Sequence, residues 1–207
     1  MNILFPDSVK KYVGLQCNGD ISLYNDLPEL KYIGHYLSEL HPIKCLDIGS
    51  GIGRASVHFF KKYEWNSTTF LLLDGNYGEK QFCAIRENNN EFYNSFDAAN
   101  EFCTANGLSN FILCDASKDT WEKEHKDIDL AYSFLAIGFH WPINFYMDKL
   151  KNTMKKGGLV IFGIRGKEKS TWVEKQVEEI DQSEFNIVEF ILTETVKRES
   201  VLILEKK

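Results

Sequence analysis

The chain has 207 residues, 43% of them hydrophobic and 14% aromatic, with a formal net charge of −6. That length buries a full core as one domain, and no apolar run is long enough to cross a bilayer. The acidic balance argues against a nucleic-acid partner, because phosphate binding needs a basic face, but leaves room for a small anion held by an arginine.

The first 27 residues show little periodicity and read as an irregular arm with short helical pieces. Residues 28–40 predict a helix, with Pro28 in its first turn and Leu30, Ile33, Tyr36, Leu37 and Leu40 on one face. A strand is expected at 43–48, followed by a glycine turn and a helix from near Gly53. A second strand covers 69–74. The polar stretch 79–94 is longer than an ordinary connection and suits a substrate-side insertion. A helix over 95–106 ends at Gly107. Strands follow at 111–114 and 128–134, then a helix over 142–154. Lys156-Gly157-Gly158 reads as a turn before a strand at 159–164. A helix with a solvated Glu/Lys face is expected at 170–180. Strands at 186–194 and 198–205 are close enough to form a hairpin.

Apolar runs alternating with helices imply a parallel sheet covered on both faces, with the closing hairpin adding an antiparallel strand. The arm and helix of 1–42 belong with 43–207 in one domain. Ligands of such a sheet bind beyond the carboxyl ends of its strands. That rim collects the glycine turn, Asp74, Asp115 and the segment after Phe134.

The residues from Ile43 to Arg54 read I-K-C-L-D-I-G-S-G-I-G-R. Asp47 stands two positions before Gly49, and Gly51 and Gly53 follow in a D-x-G-x-G-x-G spacing. Such a turn brings backbone close to a ligand, where a Cβ would interfere. It differs from the G-x-G-x-x-G of dinucleotide binders, whose pyrophosphate an acid at this place would repel. A ligand with a cationic amino group fits better. The stretch resembles the first motif of class I S-adenosylmethionine (SAM) methyltransferases. That resemblance, which spans about 40–205, implies a Rossmann-like doubly wound α/β sheet, mostly parallel with an antiparallel C-terminal strand. It also implies SAM as cofactor.

Carried over position by position, the resemblance gives Asp47, Gly49, Ser50, Gly51 and Gly53 the methionine end of SAM. Asp74 matches the acid that accepts hydrogen bonds from both ribose hydroxyls, with Gly75 and Asn76 on the same edge; a plain Asp-Gly turn is the structural alternative. Asp115 matches the residue that meets the adenine amino group, with the Ala116 N–H on a ring nitrogen; the alternative for Asp115 is to cap a turn near Lys118. Ser133 and Phe134 are expected at the methionine part. Lys155-Lys156-Gly157-Gly158 resembles the family's turn before the fifth strand, with Lys156 in place of proline.

His140 follows beside the expected place of the transferred methyl, where a neutral imidazole could take a proton from an acceptor hydroxyl; packing beside Trp141 is the alternative. The stretch G-F-H-W-P, the pair Tyr93-Asn94 and Arg165 resemble a narrower group, bacterial sugar O-methyltransferases of surface-polysaccharide biosynthesis, with Trp141 in place of a tyrosine. Tyr93, Asn94, Trp141 and Arg165 are the candidate substrate contacts, and Arg165 suits a phosphate or carboxylate.

The activity implied is O-methyl transfer to a small polar acceptor, a sugar or nucleotide-linked sugar. Two rivals stand beside it: methylation of a phosphate or phosphoramidate oxygen in capsule modification, and a SAM-fold binding protein without catalysis. Cys17, Cys45, Cys83, Cys103 and Cys114 are scattered with no C-x-x-C, which suits reduced thiols of a cytoplasmic protein. Residues 1–15 lack a basic stretch followed by an apolar block, so no signal peptide is expected. No metal site is expected either, because the remaining histidines show no ligand spacing.

Overall fold

The computed structural model describes residues 2–10, 25–75, 95–118, 120–134, 136–137, 142–165, 175, 177–178, 180–192 and 199–207. In chain order its elements are α1 (Leu30–Ser38), β1 (Lys44–Ile48), α2 (Arg54–Tyr63), β2 (Thr69–Asp74), α3 (Phe96–Ala105) and β3 (Phe111–Asp115). There follow α4 (Trp121–Glu124), β4 (Ile128–Phe134), α5 (Ile143–Thr153), β5 (Met154–Arg165), β6 (Phe185–Leu192) and β7 (Glu199–Lys206).

The strands form one sheet in the order β3-β2-β1-β4-β5-β7-β6. Strands β1 to β5 pair in parallel. β7 runs antiparallel to both β5 and β6, so the C-terminal hairpin is inserted with its second strand inward. β1 lies between β2 and β4, and the strand order reverses there. The sheet therefore opens a crevice at the carboxyl ends of β1 and β4.

Alternate side chains of each central strand feed two cores. Cys45, Phe70, Leu72, Tyr132, Ile161 and Ile203 join one cluster with α1, α2 and α3. Leu46, Ile48, Leu71, Leu73, Val160, Phe162 and Leu202 join the other with α4 and α5. Burial on both faces explains why these strands read as continuous apolar runs instead of alternating ones. Cys45, Cys103 and Cys114 are buried free thiols.

Two expectations change. The Lys156-Gly157-Gly158 turn is not a break before the strand but a bulge inside β5. Ile128 pairs with Met154 and Leu130 with Leu159, so extra residues loop out on the β5 side. Gly157 supplies the left-handed φ of +76° that the bulge needs. The short helix α4 was not expected; its Trp121 is the buried anchor that fixes it to the second core. Most of the helix expected at 170–180 and the whole stretch 79–94 lie outside the described residues.

The N-terminal arm is tied to the end of α3. Asn106, 5% exposed, accepts from the Leu4 N–H at 2.8 Å and donates to the Leu4 carbonyl at 2.8 Å and the Phe102 carbonyl at 2.9 Å. Replacing Asn106 with leucine should remove about 1–3 kcal/mol of stability. Hydrogen exchange at the Leu4 amide should rise with it, and retained protection there would show that arm packing, not the amide clamp, holds the segment.

Candidate functional site

The glycine turn spans the end of β1 and the start of α2. Gly49, Gly51 and Gly53 have φ of +68°, +55° and +83°, all in the left-handed region that L side chains avoid. The three face different surroundings. A Cβ on Gly49 would sit 2.4 Å from the Ala136 Cβ, so the chain after β4 crosses directly over the turn. A Cβ on Gly53 would meet Cys103 Sγ at 2.9 Å and Leu72 Cδ1 at 3.1 Å, which makes Gly53 the point where helix and sheet close-pack. A Cβ on Gly51 would meet nothing within 4 Å. Gly51 is thus the glycine that leaves an approach to the backbone from outside.

Asp74 ties β2 to this turn. Its Oδ2 accepts from the Gly51 N–H and its Oδ1 from the Gly75 N–H, both at 2.7 Å. Each carboxylate oxygen keeps a second acceptor position. Burial pushes the Asp74 carboxyl up to about 6, opposed by these two amides. The Gly49 and Ser50 amides both point at the Leu73 carbonyl, at 2.8 and 3.3 Å.

Asp47 departs from expectation. Instead of presenting its carboxylate to the open rim, it is 3% exposed beneath the turn. Its Oδ2 accepts from Ser56 Oγ at 2.7 Å, and the Ser56 backbone N–H supports the same carboxylate. Ser56 is the third residue of α2, whose N-cap Gly53 offers no side chain. Asp47 therefore serves as a remote cap for a helix N-terminus, where a negative charge is favoured. Burial raises its carboxyl to about 7; the Ser56 hydroxyl opposes the rise, the Asp74 charge adds to it, and Arg54 opposes it.

Asp115 ends β3 in register with Asp74. Its Oδ1 accepts from the Ser117 N–H at 3.0 Å and the Ser117 Oγ at 2.6 Å, and Lys118 Nζ lies 3.8 Å from its Oδ2. The turn-capping alternative is thus realised through Oδ1, while Oδ2 is left to Lys118 and solvent. The Ala116 N–H is not available to a ring nitrogen, because it extends the ladder to the Asp74 carbonyl at 2.9 Å.

Ser133 and Phe134 also turn inward. Ser133 is fully buried, and its Oγ finds no partner among the described residues. Phe134, 8% exposed, packs at 6.1 Å on Phe59 and at 5.9 Å on Tyr132. What this strand offers the turn is the backbone beyond Phe134, through Ala136. Arg165 closes β5 on the same rim, in register with Glu199; its side chain lies outside the described residues. Asn76, Tyr93, Asn94, His140 and Trp141 also lie outside them.

Sequence reasoning missed the hydroxyls of Ser56 and Tyr132. Ser56 Oγ lies 2.7 Å from Tyr132 Oη, and both residues are fully buried. Their signal was a hydroxyl on the first turn of α2 and a tyrosine in the middle of an apolar strand.

No family model and no curated protein matches the chain. Solved structures do. A candidate methyltransferase from Streptococcus mutans, in complex with S-adenosylhomocysteine (SAH), superposes with a TM-score of 0.59 at 15% identity, over 86% of this chain and 97% of that one. A SAM-dependent O-methyltransferase from Thermotoga maritima gives 0.56 at 13%, over 91% and 70%. An rRNA methylase from Streptococcus thermophilus gives 0.54 at 17%, over 83% and 92%. The fold is that of the SAM-dependent methyltransferases. At these identities the likeness is one of fold.

Two outcomes test the geometry. Gly49→Ala combines a left-handed φ with overlap on Ala136 and should cost roughly 2–5 kcal/mol, whereas Gly51→Ala carries the backbone penalty alone, about 1–2 kcal/mol. Denaturant titration of the two variants should give that order. The second outcome concerns pH. Asp47 and Asp74 have folded values near 7 and 6, above the roughly 3.9 of an unfolded aspartate. The folded chain then holds more protons between about pH 4 and 7, so the stability these groups contribute falls as pH rises through that window. Asp47→Asn should flatten the fall, and an unchanged slope would mean that Asp47 ionises in the folded state as it does in the unfolded chain.

Proposed function

We propose that the chain is a SAM-dependent O-methyltransferase acting on a small polar acceptor, a sugar or a nucleotide-linked sugar. The observation that carries the cofactor assignment is the juncture of Gly51 and Asp74. An open glycine backbone and a carboxylate with two spare acceptor positions meet at the point where the strand order reverses.

The described residues fit the group. Asp74 would take the two ribose hydroxyls with the acceptor positions its amides leave free. Gly49, Ser50 and Gly51 would line the methionine end, with the Asp47 charge beneath them favouring an ammonium group. Asp115 Oδ2 would take the adenine amino group. When bound, SAM supplies a sulfonium methyl whose transfer to oxygen leaves a neutral thioether. The protein's part is to align the acceptor, exclude water and remove its proton. We assign that proton to His140, with Tyr93, Asn94, Trp141 and Arg165 holding the acceptor. What supports this is chain position: His140 and Trp141 follow β4 just beyond the crossing at Ala136, and Tyr93-Asn94 lead into Ser95, the N-cap of α3.

The net charge of −6 is what favours a small acceptor over nucleic acid. Among the described residues no helix is long and apolar enough to cross a membrane, and we place the enzyme in the cytoplasm.

SAH should raise the melting temperature, because it binds the native state alone, and NAD should not. Asp74→Ala should abolish most of that shift. His140→Ala should lower turnover by about 10²–10⁴-fold with SAH affinity near wild type. A stabilisation by NAD with none by SAH would sink the reading. Full activity of His140→Ala with loss in Arg165→Ala would move the acceptor to a phosphate-type oxygen, which needs no base. SAH binding without turnover on sugars, phosphorylated small molecules or RNA would make the chain a binding protein.

A further inference from the structure

Three buried groups run in a line under the glycine turn: Tyr132 of β4, Ser56 of α2 and Asp47 of β1, with 2.7 Å at each step. All three are 3% exposed or less. A hydrogen-bond chain has a direction, and here chemistry sets it. Ser56 has one hydroxyl proton. If it donates to Asp47 Oδ2, then Tyr132 must donate to Ser56 Oγ, and every group is satisfied with Asp47 as a carboxylate. In the opposite direction a protonated Asp47 donates to Ser56, and Ser56 to Tyr132. The tyrosine proton would then need another acceptor, and among the described residues Tyr132 Oη has Ser56 as its hydrogen-bond partner. A fully buried hydroxyl without an acceptor is costly. The chain therefore favours the ionised form of Asp47 and opposes what burial does to it.

Resting on the cofactor reading above, we propose that Tyr132 and Ser56 are positioning residues. They form a one-way hydrogen-bond relay that keeps Asp47 charged, at the base of the turn, for the cationic amino end of the cofactor. Tyr132 touches no ligand in this scheme; it acts through Ser56 and Asp47. Its ring has a separate task, packing at 4.8 Å edge-on against Phe59, which phenylalanine would preserve.

The groups facing Asp47 are few. From α2 they are Arg54 and Ser56, from β2 Asp74, from β4 Tyr132. The thiols of Cys45 on β1 and Cys103 on α3 also feel its charge. Burial lifts Cys45 well above its usual range and Cys103 to about 12, so both stay neutral at working pH. Arg54 stays cationic throughout. Asp74 is the one other group of this set that titrates in the same range, at about 6. Its resonance must be followed separately.

The test compares wild type, Tyr132→Phe and Ser56→Ala. The cofactor-free proteins are labelled with ¹³C at the aspartate carboxyls, with Asp47 assigned by its loss in Asp47→Asn. The midpoint of Asp47 should move upward by about 0.5–1 pH unit in Tyr132→Phe. SAH affinity is then measured between pH 5.5 and 8.5. Because the carboxylate favours the ammonium, affinity should fall as Asp47 protonates. Tyr132→Phe should be weakened roughly threefold to tenfold at pH 6.5, approaching wild type as pH rises to 8.5. An unmoved Asp47 midpoint, or a weakening equal at every pH, overturns the relay and leaves Tyr132 as packing. If Tyr132→Phe does not fold, Ser56→Ala carries the same titration. If wild type binds no SAH while Asp47 still shifts, the cofactor reading falls and the relay's effect on Asp47 stands. If SAH binds and Asp47 does not shift, the relay falls alone.

Discussion

The site depends on one carboxylate set where water cannot reach it well. Asp47 joins the end of β1 to the first turn of α2 through Ser56, and the glycine turn lies between those two anchors. A five-residue turn with three left-handed glycines has little conformational preference of its own. Its shape must be imposed from its ends. Asp47 fixes it from below, Asp74 fixes Gly51 from the side, and Ala136 closes over Gly49 from above. Each constraint comes from a different strand, so the turn forms only once the parallel sheet has formed.

Much of this was legible in the sequence, for identifiable reasons. The runs of β1, β2 and β4 are apolar on both faces because helices cover both, and an uninterrupted apolar run is easy to see. Ser95 and Gly107 bracket α3 as its N-cap and left-handed C-terminal residue, and both are strong local signals. Asp74 was placed correctly at the turn because strand length and spacing determine where a strand ends.

What failed to show was side-chain direction. Motif spacing says that an acid precedes the glycines. It does not say whether the carboxylate points up at a ligand or back into a helix N-terminus. Asp47 took the second course because the Gly53 N-cap has no side chain, so the unpaired amides of α2 needed an outside acceptor. Ser133 was misplaced for a related reason. Strand alternation sends Tyr132 and Phe134 to the α2 side of the sheet and Ser133 to the other, where a hydroxyl without a partner is compatible with the sequence but invisible in it. The β5 bulge was misread as a terminating turn because Gly-Gly marks either, and only the pairing of Ile128 with Met154 separates them.

The two acids give the empty site a characteristic tension. Asp47 and Asp74 are near enough that the charge of one disfavours that of the other, and burial disfavours both. A ligand that brings a cation to the turn and hydroxyls to Asp74 relieves both costs together. It supplies an opposite charge for the first carboxylate and donors for the second. A dinucleotide would do the reverse, because its pyrophosphate adds negative charge at the place where the buried carboxylate already sits. Selection between these two cofactor classes therefore does not require a special contact. It follows from placing an uncompensated acid at a helix N-terminus that would otherwise attract phosphate, and from holding that acid ionised with hydroxyls that have nowhere else to donate.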